Sequence, residues 1–327
     1  MIYEHLNIIN KLRRVAHYYR RRELVGKVFS KFSALIEISK RLPDIVLIAD
    51  WAGMGDALMY GTIAHELKKR GSLIIEINSN HSELYKGNPD IDILSTSAER
   101  RAFLLERLPK NKAISPKYWF GEGNQPDNHI LKILCEQAGV SGEIDFRTYI
   151  HLTKNELEQV PHFMRDGIVI QSQGKLSWGI NKNWYPERFQ KVVNYFKDNL
   201  PVIQIGTCDD PMLSGCIDMR DRTLLRSAAA ILYWSRCFVG QVGGLMHLAR
   251  AVDTRATIIY GGFEEPWQSG YDVNVNITSK VDCSPCWKMQ ECLPRKCMDN
   301  ISSQDVIEAV EKLLSMEKLS SLPRVIF

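Results

Sequence analysis

No run of about 18 apolar residues occurs anywhere in the chain, which excludes a helix that spans a membrane. The opening residues also lack the apolar segment of a signal peptide, so the expected location is the cytosol. Charge of one sign is scarce in excess: the formal balance over 327 residues is only +4, and nothing in it demands nucleic acid as a partner. Cysteine is too sparse for a secreted disulfide scaffold, at eight residues, although four of the eight crowd into positions 283–297. Internal repeats, low-complexity tracts and Gly/Ser linkers are missing as well, so any separate domains should be packed together rather than strung apart.

What is present is enough apolar material, 45% of the residues, for two ordinary domains with real cores. It is arranged as two alternating series. The first runs from a strand at 44–50 (DIVLIAD) through the loop WAGMGD and a helix at 57–70 to a strand at 72–78 (SLIIEIN). Residues 95–145 carry no clear period. The second series starts at 167–173 (GIVIQSQ) and alternates strands at 201–206, 237–241 and 256–262 with helices near 187–197, at 224–234 and at 244–252. A last helix opens at Ser302, with Asp305 three residues on, and ends near Met316. Such alternation predicts parallel sheets covered by helices on both faces. A split near residues 150–165 predicts two domains and a cleft, with 44–160 and 161–327 following an N-terminal arm at 1–43. In that arm the stretch KLRRVAHYYRRR, residues 11–22, interleaves six basic residues with apolar and aromatic ones. It reads either as a solvated helix flank or as a peripheral contact with anionic lipid.

Two glycine-bearing helix starts are candidate sites. In GQVGGLMHLARAV, residues 240–252, a strand leads directly into a helix, whose unpaired N–H groups point to where open α/β sheets bind ligands. Gly243 and Gly244 would let a diphosphate approach them, or they answer to the dihedral demands of a tight turn. His247 is a ligand contact or a satisfied packing residue. In WAGMGDAL, Asp56 either caps its helix or projects into the cleft as a carboxylate able to take a proton from an attacking hydroxyl. The paired aspartates Asp90 and Asp92 lie in a turn and read as structural. Cys283, Cys286, Cys292 and Cys297 form C-x2-C-x5-C-x4-C, a spacing that suits one zinc or iron ion held structurally; reduced thiols packing a loop are the alternative.

Four segments in this order and spacing resemble glycosyltransferase family 9, the group containing the bacterial lipopolysaccharide heptosyltransferases. They are GMGDALMYGTIAHELKKRG with HSELYKGNPDID, then IVIQSQGKLSWGINKNWYPERF, then RDRTLLRSAAAILYWSRCFVGQVGGLMHLARAV, and last CSPCW with Cys292, Cys297, Met298 and Ile301. The likeness spans about residues 44–314 and is poor between about 95 and 160. It implies a GT-B fold, two Rossmann-like domains facing a cleft, with the donor in the second and the acceptor in the first. It also implies an inverting displacement at the sugar's anomeric carbon, with a nucleoside diphosphate leaving and no catalytic metal. Carried over by position, the general base falls on Asp56, a diphosphate contact on Lys182, and donor contacts on Ser177, Thr223, Gly243, Gly244 and His247. A branch of the family that glycosylates autotransporter proteins holds a structural iron through cysteines. The donor implied is ADP-heptose or a similar nucleoside-diphosphate sugar, and the acceptor a lipopolysaccharide, another glycolipid or a protein. One departure stands out: Val242 and Gly243 occupy positions where the family commonly carries Asp and then Ser or Thr. The loss of a carboxylate and a hydroxyl there points to a different sugar, or to a silent nucleotide-sugar-binding or scaffolding protein.

Overall fold

The computed structural model describes residues 42–50, 52–118, 125–174 and 179–319, with the backbone of 325–326. The basic stretch at 11–22 and Ser177 lie outside the described residues.

The first sheet is built from β1 (Ile45–Ala49), β2 (Ile75–Ser79), β3 (Ile93–Ser95) and β4 (Ala113–Ile114). All its pairs are parallel and its order is β3-β2-β1-β4. β1 carries the continuous apolar run IVLIA, as a strand covered on both faces requires. Helix α1 (Met54–Arg70) follows it, with Asp56 in the first turn and Lys68, Lys69 and Arg70 in the last, each sign matching the helix dipole at its end. The stretch without a sequence period holds β3, α2 (Ala98–Arg107), β4 and α3 (Ile130–Gln137). The strands β3 and β4 are three and two residues long and α2 buries only Leu104, so this stretch writes little of a burial period into the sequence. Asp90 and Asp92 are taken up structurally: Asp90 pairs with His65 at 2.9 Å, and Asp92 with Lys68 at 2.7 Å and the Ile75 N–H at 2.8 Å.

After β5 (Leu152–Thr153) and α4 (Lys154–Glu158), the second sheet takes β6 (Ile168–Ile170), β7 (Val202–Gln204), β8 (Ile217–Asp218), β9 (Cys237–Gln241), β10 (Ala256–Gly261) and β11 (Val275–Thr278). Helices α5 (Pro186–Phe196), α6 (Leu225–Trp234), α7 (Gly244–Ala251) and α8 (Ser303–Ser315) cover it. Ser302 caps α8 in a capping box with Asp305, as the sequence predicts. The order is β11-β10-β9-β6-β7-β8, all parallel, so the chain reverses its direction of travel across the sheet between β6 and β9. Val325–Ile326, β12, pairs with β5.

Both sheets belong to one compact body, residues 44–327. One buried apolar cluster runs from Leu47 and Ala57 in the first half to Leu248 and Ile258 in the second. Polar staples add to it. Arg226 of α6 grips Glu156 at 2.5 Å, the His151 carbonyl at 2.6 Å and the Glu83 carbonyl at 3.1 Å. Arg147 meets Asp253 at 2.9 Å, and His129 donates to the Gly270 carbonyl at 2.9 Å. Among the described residues no helix is long and apolar enough to cross a membrane.

Candidate functional site

In an open parallel sheet the crevice for a ligand lies beyond the carboxyl ends of the strands, where the strand order reverses. The first half reverses between β1 and β4. The loop after β1 leads to Asp56, and the loop after β4 carries Tyr118. The second half reverses between β6 and β9. The loop after β6 carries Lys182, and the turn after β9 carries Gly243 and Gly244 ahead of His247. Sequence reasoning found three of these four loops; the fourth lay in the stretch without a period.

Asp56 uses both of its carboxylate oxygens. Its Oδ2 accepts from the Gly53 N–H at 3.2 Å, closing the helix start, while its Oδ1 accepts from the Tyr118 hydroxyl at 2.9 Å. Burial pushes the carboxyl above its ordinary 3.8, opposed by the Tyr118 and Gly53 hydrogen bonds and by the charge of Lys182, with Glu264 pushing the same way as burial. Tyr118, raised well above its ordinary value by burial and then by Asp56, stays protonated and therefore donates. Its loop is pinned on three sides. The Ser115 hydroxyl donates to the Ile48 carbonyl at 3.0 Å, Tyr60 donates to the Pro116 carbonyl at 2.8 Å, and Gln137 exchanges two bonds with the Lys117 backbone at 2.8 and 2.6 Å.

Facing this pair, Lys182 meets Glu264 at 2.5 Å and lies 4.6 Å from the centroid of Phe263. Glu264 is 4% exposed and Lys182 23%, so the carboxylate is the more deeply placed partner. Glu264 follows β10 and acts electrostatically on Asp56, Tyr118 and His129. Sequence reasoning missed it, because a glutamate in a loop has no spacing signature. The same segment is lined by the cysteine-bearing loop: Cys286 N–H donates to the Gly262 carbonyl at 3.1 Å and Trp287 N–H to the Phe263 carbonyl at 3.0 Å.

The paired glycines serve two different ends. A Cβ on Gly244 would fall 2.4 Å from Met54 Cε and 3.3 Å from Gly55 N, and one on Gly55 would fall 2.9 Å from His247 Cδ2 and 3.2 Å from Gly244 Cα. The starts of α1 and α7 therefore touch, and the space beside Gly244 that the sequence reading leaves for a phosphate is filled by α1. Gly243 has nothing within 4 Å of its Cβ position, and its backbone is extended at φ 163°, a conformation open to any residue. A turn that demands glycine dihedrals is thus not the explanation for either residue, and the open approach to the helix start lies on the Gly243 side.

His247 is buried and bonded, its Nδ1 2.7 Å from the Tyr271 hydroxyl and its carbonyl accepting from Thr148 at 2.5 Å. Burial, and after it His129 and Lys182, push it down to about 3, so the ring is neutral near pH 7. Thr223 is half-buried ahead of α6, on the loop after β8.

The four cysteines of 283–297 are all free thiols. They sense one another: Cys286 is raised by burial and then by Cys283 and Cys292, and Cys297 by burial and then by Cys286 and Cys283. As a donor set they are right for one soft ion. They are not gathered to ligation distance, however. Among the described residues the one trio of ligand atoms within 4.8 Å of one another belongs to His65, Glu66 and Asp145. That trio is an ion-pair network, with His65 on Asp90, Glu66 on Arg70 and Asp145 near Lys69.

Residues 143–296 match the model of glycosyltransferase family 9 (heptosyltransferase). No curated protein matches the chain by sequence. Among solved structures, the chain is similar to the glycosyl transferase family 9 protein from Veillonella parvula, at 16% identity and a TM-score of 0.62, covering 83% of this chain and 96% of that one. It is similar to the iron-containing dodecameric glycosyltransferase TibC of enterotoxigenic E. coli at 16% identity and a TM-score of 0.67, covering 84% and 76%. It is also similar to the ADP-heptose LPS heptosyltransferase II of E. coli at 14% identity and a TM-score of 0.63, covering 83% and 98%. The shared architecture is GT-B, two Rossmann-like halves with their switch points turned toward each other.

Proposed function

We propose that this chain is a family 9 glycosyltransferase that moves a sugar, heptose or a related one, from a nucleoside-diphosphate donor to a lipopolysaccharide, glycolipid or protein acceptor, with inversion. The observation that carries this reading is the pairing at the two switch points: a buried carboxylate of raised proton affinity, Asp56, stands within electrostatic reach of the ammonium of Lys182.

The chemistry follows from those two charges. The acceptor hydroxyl gives its proton to Asp56 as its oxygen bonds to the anomeric carbon, and a carboxyl of raised pKa is the better base for that transfer. The bond from that carbon to the diphosphate breaks, and the electron pair leaves with the diphosphate. The growing negative charge is met by Lys182 and by the first N–H groups of α7, approached from the open Gly243 side. This assigns charge stabilisation to the protein rather than to a catalytic metal. Ser177 and Thr223 contribute on the nucleotide side. His247, neutral and bonded to Tyr271, shapes the floor of the site and carries no proton in the reaction.

The first donor to test is ADP-heptose, because the fold is similar to that of the E. coli ADP-heptose LPS heptosyltransferase II. Val242 and Gly243 lack the carboxylate and hydroxyl common in the family, and this observation favours a related sugar or, as the second reading, a silent nucleotide-sugar-binding protein. In this reading the basic stretch at 11–22 brings the chain to an anionic membrane surface where a lipid acceptor is presented. Cys283, Cys286, Cys292 and Cys297 hold a structural iron or zinc. TibC is described as iron-containing, and a soft ion would draw together thiols that already perturb one another. Incubation with a panel of nucleotide sugars, ADP-heptose first, should release nucleoside diphosphate when acceptor is supplied. Binding of a donor with no release in the presence of lipid and protein acceptors would favour the silent protein.

A further inference from the structure

The turn that carries Lys182 is short, Ile180–Lys182 in one 3-10 turn, and Lys182 reaches from it to Glu264 at 2.5 Å. Its neighbour Asn181 faces the other way and is 3% exposed. The Asn181 amide donates to the Lys288 carbonyl at 2.7 Å and the Gln290 carbonyl at 2.8 Å, and its oxygen accepts from the Cys292 N–H at 3.0 Å. Three bonds therefore run from one side chain into the backbone between Cys286 and Cys292. The clamp is returned from the far side of Cys292. Arg295 donates to the Ile180 carbonyl at 3.1 Å and the Asn183 carbonyl at 2.8 Å, holding the turn two residues before and one residue after Lys182. The same loop also lines the Phe263 backbone beside Glu264, the partner of Lys182.

A buried side-chain amide with every bond directed at one segment of backbone fixes the separation of two segments, because each bond lost leaves a buried polar group unpaired. The segment it fixes here is the four-cysteine loop, and the segment it holds is the lysine's. We propose that Asn181 is the positioning residue through which the four-cysteine loop sets the place of Lys182, so that the state of the thiols governs how tightly the site holds a diphosphate. The inference rests on the donor-site reading above and adds a coupling to it. Whether the thiols are held by an ion or simply packed, the path from loop to lysine is the same five hydrogen bonds.

The test measures binding of ADP and of inorganic pyrophosphate by calorimetry, together with melting temperature and metal content, for wild type, Asn181→Ala, Cys286→Ser and the double variant. Asn181→Ala should weaken both ligands on the order of tenfold while the protein remains folded. Cys286→Ser should weaken them in the wild-type background but add little in the Asn181→Ala background, because both changes act through one connection. Arg295→Lys, which keeps the charge but replaces the rigid planar guanidinium whose Nη1 meets both carbonyls, gives a second and milder lesion that should reduce affinity in the same direction. Equal affinities in wild type and Asn181→Ala, or fully additive effects in the double variant, overturn the coupling and leave the donor site standing. No binding of either ligand by the wild type overturns the donor-site reading and the coupling with it.

Discussion

Replacing Gly55 by alanine tests whether the two halves are held in register by contact between their helix starts. The added methyl would lie 2.9 Å from His247 Cδ2, 3.2 Å from Gly244 Cα and 3.6 Å from Gly244 N. None of these atoms can step aside cheaply. Two are backbone, and the ring is tied to Tyr271 at 2.7 Å and buried. The helix starts must part by a few tenths of an ångström. Overpacking of this kind costs about 1–3 kcal/mol. The better helix propensity of alanine returns at most about 1 kcal/mol. The net expectation is about 1–2 kcal/mol of lost stability and a Tm lower by about 2–6 °C for a body of this size. Asp56 is the next residue and Lys182 stands across the cleft, so turnover should fall further than stability alone accounts for. Gly243→Ala is the matched control: nothing lies within 4 Å of its methyl, the backbone is extended, and stability should stay within about 0.5 kcal/mol. Denaturant and thermal unfolding of the two variants side by side measure the difference. A Gly55→Ala protein as stable as wild type, or a Gly243→Ala protein equally damaged, would refute the contact.

Asp56→Asn should reduce transfer by about 10²–10⁴ while nucleotide affinity is kept, since Asp56 acts on the acceptor hydroxyl and not on the nucleotide, and the amide oxygen still serves one of the two donors, Gly53 N–H or the Tyr118 hydroxyl; a variant with full turnover removes Asp56 from the chemistry. Tyr118→Phe deletes a hydrogen bond that lowers the proton affinity of Asp56, so the acid limb of the kcat/KM profile should move to higher pH; an unmoved limb means that Tyr118 does not govern the base. Stability should fall between pH 7 and 5, because the unfolded chain protonates His247 below about 6.5 whereas the folded chain refuses the proton down to about 3, a difference of about 2 kcal/mol at pH 5. His129, also lowered by burial, adds in the same direction, and an unchanged Tm across this window argues against neutral buried rings. Glu156, held at about 2 by Arg226, contributes its stability above its ordinary 4.5 and loses it only below that, outside the histidine window. Elemental analysis of untagged protein should find about one iron or zinc per chain, lowered by Cys283→Ser and not by Cys135→Ser; metal-free protein of full stability returns the cysteines to a packing role.

The local elements of the fold were legible because each burial pattern is written in consecutive residues. The apolar runs of β1, β9 and β10, the spacing of α1, and the Ser302–Asp305 cap of α8 each announce themselves within about 15 residues or fewer. Asp56 could be singled out for the same reason, as an acidic residue at a helix start that follows a strand, whereas Lys182, well past the end of β6, was reached through the family resemblance. Tyr118 could not, since β4 is two residues long and its loop is fixed by bonds to Ile48, Tyr60 and Gln137.

What the sequence by itself determined is therefore the set of strands and helices in each half, their parallel alternation, and the residues placed at the ends of strands, because a strand or a helix start depends on neighbours in the chain. What only the tertiary structure decided is which strand ends face each other. The reversal between β6 and β9 brings Lys182 beside the α7 turn, and contact between Gly55 and Gly244 sets the halves edge to edge. Glu264 reaches Lys182 across 82 residues, and Asn181 reaches the cysteine loop across 107 to 111. Such pairings leave no period in the chain, because their partners are chosen by how the sheets twist and pack rather than by spacing along the backbone.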